Sequence, residues 1–331
     1  KGVFRYCINL LKFNIPPKMK AITGNFFMNC ERLKQINIHL SVTRIDGRAF
    51  YECNELEEII IPNVKVISQN AFILCKKLKR IILLSPSINN LGPFVFFYCE
   101  SLKEITIPSS IKVIRNNAFS DCSLLEKIIF NEPCSLKSIS KNVFKKCSSL
   151  IDLTIPSSVK KIGIKCFSGC SSLEQIYFAT PSSLSLIKLS AFEGLSSLKE
   201  ITIPSSVLKI GGFAFSNCSS LEKVTFESNS LLCSIAQNAF QNCTSLKEIE
   251  IPSNLKKTGG SVFMGCSALE KVEFDNPCHL SIVSTSFFRN CTSLKQITIP
   301  SSIKKICNNA FDGCSELMQV SFTNPSSLIS I

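Results

Sequence analysis

Apolar residues in this chain recur on a long period. Phe4, Phe27, Phe50, Phe72, Phe96, Phe119, Phe144, Phe167, Phe192, Phe215, Phe240, Phe263, Phe288 and Phe311 stand 22 to 25 residues apart, and each heads the same series. With Phe as position 0, position +3 is Cys (Cys122, Cys147, Cys170, Cys218) except at Leu195, and +6 is Leu in all fourteen coils, as at Leu102, Leu173 and Leu317. Position +9 is Ile, Val or Leu apart from Phe13, and +11 is Ile, Phe or Leu. Five residues before the anchor lies another aliphatic residue (Ile114, Ile162, Ile210), with Thr258 the departure. A fixed period of this length predicts a solenoid.

Two spacings sit inside each coil. Positions 0, +3 and +6 recur every three residues and predict a short helical or 3₁₀ turn with one side inward. Positions +9 and +11 alternate with polar neighbours and predict a short strand. Each coil is thus expected to add one parallel strand to an α/β repeat solenoid. Four or five buried apolar side chains, at roughly 1.5–3 kcal/mol each, do not offset roughly 1–2 kcal/mol of backbone entropy per residue. A coil must therefore bury its flat faces on its neighbours.

A compact chain of 331 residues would suggest about two domains, but the repeat predicts one elongated solenoid over 1–331. Lys1 lies three residues before an anchor and Ile331 falls at position −5 of an unfinished coil, so both ends cut the repeat without a capping coil, and a piece of a longer protein is expected. Residues 1–95 are the less regular part. From Phe96 the spacing alternates 23 and 25, which makes residues 96–331 a 48-residue double repeat. Short coils carry Ile-Pro-Ser-Ser or a near copy, as at Ile155-Pro156 and Ile203-Pro204; long coils carry Phe and a longer loop, as from Phe178 to Pro181. Proline ends the strand because it lacks a donor and fixes φ.

The outward side chains of the strand fall at +8 and +10. At +8, Glu104, Lys127, Asp152, Gln175, Glu200, Lys223, Glu248 and Lys271 bring opposite charges onto adjacent strands, first of all a structural device. At +10 stand Thr106, Ile129, Thr154, Tyr177, Thr202, Thr225, Glu250, Glu273 and Thr298. Such a polar, β-branched face serves equally as a stable sheet surface or as a binding face for a protein partner. Lysines also recur after the Pro-Ser-Ser turn, in every second coil: Lys112, Lys160, Lys161, Lys209, Lys256, Lys257, Lys304 and Lys305. In a chain of net charge +13 they form a basic stripe, either a solubilising edge or a polyanion site for a sulfated glycan or an anionic cell surface. Nucleic acid is not expected, because the aromatics are spent on the anchors rather than interleaved with the basic residues.

Eighteen cysteines raise disulfide and zinc readings. Thirteen occupy position +3, a whole coil apart, which is not zinc-site spacing. A ladder of buried thiols behaving as small hydrophobes fits better, with some disulfides between neighbouring coils still geometrically open. Cys134, Cys166, Cys233, Cys278 and Cys307 are scattered. Asn217-Cys218-Ser219, Asn242-Cys243-Thr244 and Asn290-Cys291-Thr292 match the glycan-acceptor pattern. Other coils have Gly169, Gly265 and Gly313 there, which points to a left-handed backbone position. His39 and His279 are about ten coils apart, so no His-paired nucleophile or multi-His metal site is expected, and no Gly-rich phosphate loop occurs. No enzyme activity, metal or cofactor is expected. No apolar run approaches 18 residues, so no membrane span is expected.

Residues 155–176, from Ile155-Pro156-Ser157-Ser158 through Phe167, Cys170 and Leu173 to Ile176, closely resemble the repeat of BspA-like leucine-rich-repeat surface proteins of Bacteroidales and of parasitic protists such as trichomonads and Entamoeba. The Leu-x-x-Ile-x-Ile core fits, and the resemblance covers essentially the whole chain. It departs in having Ser110, Ser158 and Ser206 near the usual Asn ladder position. The resemblance implies a curved, right-handed superhelix and a cell-surface or secreted protein used in adhesion to host cells, matrix proteins or other microbes. It carries no catalytic residues over. A stalk that holds another domain away from the cell is the remaining alternative.

Overall fold

A computed structural model describes residues 2–331. Contacts divide the chain into two units, Lys1–Val159 with Cys166–Ser171, and Lys160–Lys165 with Ser172–Ile331. In both, the repeat forms turns of a parallel-strand solenoid. The strand at +8 to +11 is present as expected. In the first unit, Glu58–Ile61, Arg80–Leu83, Glu104–Ile107 and Lys127–Phe130 form one sheet. In the second, Glu200–Ile203, Lys223–Phe226, Glu248–Ile251 and Lys271–Phe274 form another. Register is one to one, Glu200 with Lys223 and Thr202 with Thr225, so equivalent side chains stand side by side.

Two expectations are corrected. Each coil contributes two strands rather than one: two-residue strands also pair in parallel as a second sheet within each unit, Val113–Ile114 with Ser138–Ile139 in the first, and Lys161–Ile162, Leu186–Ile187 and Lys209–Ile210 in the second. The aliphatic residue at −5 is the buried half of this strand. The α/β class also gives way, since no helix occurs among the described residues. The anchor region is a chain of turns, and the backbone conformation explains why. Positions −2 and +2 both have positive φ in every coil, as at Asn25 and Asn29 (57° and 58°), Asn238 and Asn242 (59° and 57°), and Lys165 and Gly169 (51° and 78°). Two left-handed residues four apart reverse the backbone and stop a helix from propagating.

This turn carries its own ladder. The N–H groups of Asn238, Phe240 and Asn242 donate to the carbonyls of Gly260, Val262 and Met264 one coil on, at 3.0, 2.9 and 2.8 Å. Backbone groups that a helix would have satisfied internally are satisfied between coils instead.

Inside, the anchors stack. Phe50 and Phe72 lie 4.9 Å apart at 4°, and Phe215 and Phe240 lie 5.2 Å apart at 4°. Two more core positions join those read from sequence: −8 (Ile111, Val207, Leu255) and −1 (Ala118, Ala214, Val262), all fully buried. The cysteine ladder is a hydrogen-bond device as well as a packing one. Cys53 Sγ donates to the Phe27 carbonyl at 3.2 Å, Cys147 to Phe119 at 3.3 Å and Cys266 to Phe240 at 3.2 Å. From Cys30 on, each +3 thiol thus uses the second lone pair of an anchor carbonyl one coil back, and no cysteine forms a disulfide among the described residues. The serines that depart from the usual Asn ladder do similar work: Ser110 Oγ donates to Ile88 O at 2.6 Å and Ser206 Oγ to Leu184 O at 2.8 Å.

Candidate functional site

Every residue expected on the outward strand face is there. Thr106, Ile129, Thr154, Tyr177, Thr202, Thr225, Glu250, Glu273 and Thr298 are all exposed, because strand alternation turns +9 and +11 inward. Register brings Thr106 beside Ile129 in the first unit, and Thr202 beside Thr225 and Glu250 beside Glu273 in the second. Tyr177 is 53% exposed, its hydroxyl bonded to Gln175, at the edge of a groove shared with Thr202 and Glu227.

The charges at +8 fall in register as read, with Glu200 beside Lys223 and Lys223 beside Glu248. The close ion pairs form elsewhere. Glu222 and Lys247, at +7, meet at 2.8 Å, as do Glu57 and Lys79, while Lys271 turns along its own strand to Glu273 at 2.8 Å. The +7 column was not read from sequence, although its alternating signs are visible there.

Glu250 and Glu273, at the position where the flanking coils have Thr225 and Thr298, stand with Asp275 as a group of three carboxylates. The Asp275 carboxylate, first as acceptor of a hydrogen bond that only the protonated Glu250 can donate and then through its charge, raises the Glu250 carboxyl above the usual range, with partial burial and Glu273 adding to the shift. Beside them runs an open groove of about 1010 Å³, lined also by Glu270, Lys295 and Thr298.

The lysines occupy the second sheet and the residue before it. Lys161, Leu186, Lys209, Ser234 and Lys257 are successive register partners, so lysines stand on alternate strands, two strand spacings or about 9–10 Å apart. Lys305 pairs with Ile282 in a further two-strand sheet of the same unit. Lys112 lies in the first unit. Lys112, Lys160, Lys161, Lys209, Lys256, Lys257, Lys304 and Lys305 are exposed, and none is in an ion pair among the described residues. Asn217, Asn242 and Asn290 do adopt positive φ (60°, 57°, 59°), and Asn242 Nδ2 donates to Asn217 Oδ1 at 3.1 Å.

The ladder thiols are chemically quiet. Burial pushes Cys75, Cys170 and Cys218 from 9.0 up to about 12, which suppresses the thiolate needed for nucleophilic or redox chemistry.

Stacked coils, parallel strands and a Leu-x-x-Ile-x-Ile core define a leucine-rich-repeat solenoid. The chain belongs to the BspA type leucine rich repeat family: that repeat region matches in 6 copies, over residues 1–126, 89–222, 176–280 and 220–331. Among solved structures, a leucine-rich repeat protein from Bacteroides ovatus ATCC 8483 is similar at 27% identity, covering 99% of this chain and 85% of its own, with a TM-score of 0.75. The pneumococcal vaccine antigen PcpA shares the fold at 22% identity, covering 97% of this chain and 89% of its own, with a TM-score of 0.50. No curated protein matches the chain.

Proposed function

We propose that this protein is a non-enzymatic binding module, secreted or displayed at a cell surface, that recognises a protein on a host cell, on matrix or on another microbe through the four-residue strand face. The observation that carries this reading is the exposed +10 column, in register within each unit, as at Thr106 and Ile129 in the first and Thr202 and Thr225 in the second, on sheets backed by a buried core. A flat, preorganised face of Thr, Tyr and Glu binds with little ordering cost, and membership of the BspA type family accords with that use. The test is the triple variant Tyr177→Ala, Thr202→Arg, Thr225→Arg. It should keep its fold and lose binding to cells or matrix at least about ten-fold; unchanged binding would show the strand face to be the wrong surface.

A second reading, polyanion capture by the lysines of the second sheet, is favoured by their registered spacing and lack of ion-pair partners. A sulfated glycan laid along the stack would meet a charge at every second coil.

A further inference from the structure

Outside the strand face, the turn side of the first unit carries an apolar stripe that the rest of the repeat lacks. Position +1 reads Met28, Tyr51, Ile73 and Phe97 in successive coils, then becomes polar at Ser120 and Lys145. The turn ladder makes these true neighbours: Tyr6 N donates to Met28 O at 2.8 Å, Asn29 N to Tyr51 O at 2.8 Å, Glu52 N to Ile73 O at 3.0 Å and Leu74 N to Phe97 O at 2.9 Å. Three of the four tyrosines lie on or beside this stripe, Tyr51 at +1 and Tyr6 and Tyr98 at +2. Phe97 packs edge-on against both Phe94 and Tyr98, at 5.4 and 4.5 Å.

The stripe is also where the backbone is least suited to its side chains. Tyr6, Leu74, Phe94 and Tyr98 have φ of 59°, 62°, 56° and 56°, at positions where the other coils have Asn, Gly, Ser or a charged residue and only Phe213, in the second unit, is another large apolar one. Bulky residues are disfavoured in that region, so their presence is not explained by the turn. Their side chains point outward: Tyr6 is 57% exposed, Tyr98 37% and Phe94 36%. An outlier of this kind motivates a functional reading, and Tyr, Phe, Met and Arg are the residues enriched at protein interfaces.

The pairing of positions −2 and +2 indicates which partner fits. These columns flank the middle of the turn at equal separation, so a two-fold axis running along the stack would lay −2 of one copy on +2 of another at the same level. Coil by coil over the stripe, the residues then facing each other are Gly2 and Tyr6, Asn25 and Asn29, Arg48 and Glu52, Asn70 and Leu74, and Phe94 and Tyr98; the first, third and fifth pairs are the telling ones. That is a gap for a ring, opposite charges, and two aromatics. Within one copy Arg48 is exposed and in no ion pair among the described residues. Glu52 meanwhile accepts a hydrogen bond from Asn29 at 2.5 Å. We propose that the turn stripe of the first unit is an isologous dimer interface, in which a second copy of this chain packs turn face to turn face with Arg48 of each copy against Glu52 of the other. A self-complementary patch is what a two-fold contact requires.

Sedimentation equilibrium of the full chain, from low to high micromolar concentration, tests this. The wild-type chain should dimerise. Arg48→Glu and Glu52→Arg should each weaken the dimer about ten-fold or more, and the double variant should restore it, because the swapped charges still meet across the axis. Phe94→Asn gives the turn the residue it has at Asn117 and Asn142; it should leave the fold intact and weaken the dimer. A chain that stays monomeric throughout, a dimer indifferent to these changes, or a double variant that fails to recover would each overturn the proposal. Monomer with binding of a different protein at the stripe would do so as well.

Discussion

The carboxamide of Asn242 lies directly over Gly265. A Cβ built on Gly265 would stand 2.3 Å from Asn242 Oδ1, and Gly265 has a φ of 75°. Two independent constraints thus fix this glycine, the left-handed backbone and the side chain one coil back. Gly265→Ala should cost about 1–2 kcal/mol for the backbone alone, with more from the clash. In an Asn242→Ala background the clash disappears and only the backbone part should remain. Urea unfolding midpoints of the two single variants and the double variant measure this; equal costs in both backgrounds would rule out the contact with Asn242.

The lysines of the second sheet make a salt-dependent prediction. Binding of a heparin-like chain should weaken steeply between low and moderate salt, since exposed charges are screened within about 8–10 Å. Lys160→Gln, Lys161→Gln, Lys256→Gln and Lys257→Gln together should flatten that dependence. Salt-independent retention on a sulfated column would remove electrostatics as the cause.

On the strand face, Glu250 beside Glu273 is a like-charge pair in register, and Asp275 also raises the Glu250 carboxyl. Neighbouring coils use Thr at this position. Glu250→Thr should therefore stabilise the chain by about 0.2–1 kcal/mol at neutral pH. The gain should fade on acidification, for the native Glu250 pKa is raised above 4.5: below the unfolded value both states are protonated, and the native penalty builds as pH rises from the unfolded value and is complete above the folded pKa. Thermal melts at pH 4 and pH 7 compare the two; a gain equal at both would point to shape rather than charge.

What the sequence makes legible is whatever repeats with one residue type. Phe215, Cys218 and Leu221 recur so faithfully that stacking follows at once. The second strand is hidden because it is two residues long and its outward member varies, Val113 in one coil, Lys161 or Ser234 in others. The turn is mistaken for a helix because spacing of three suits both, and the residues at −2 and +2 that decide between them range from Asn238 to Lys165 to Phe94. The +10 column is legible through strand alternation. The aromatic stripe is not, for Tyr6, Tyr51 and Tyr98 look like scatter until the ladder sets them at +1 or +2 of the same run of turns.

The thiol ladder predicts an alkaline limit to stability. Cys75, Cys170 and Cys218 are each pushed by burial from 9.0 up to about 12, with backbone N–H groups of the coil before, which favour the thiolate, only partly opposing the shift. Below pH 9 the thiol is protonated in both native and unfolded chains and contributes nothing to the pH slope. Between pH 9 and about 12 the unfolded chain releases the proton and the native chain holds it, so the native state binds more protons and its stability falls as pH rises. Each such thiol steepens the fall by about 1.4 kcal/mol per pH unit, and a stack of them should give a sharp loss of fold over a narrow interval. Far-UV circular dichroism in graded urea from pH 8 to 11 reads the slope. Cys75→Ala and Cys170→Ala should lower stability at pH 8, through the lost contact, yet reduce the slope above pH 9. If the slope stays as steep with both thiols gone, lysine or tyrosine titration rather than the ladder governs the alkaline transition.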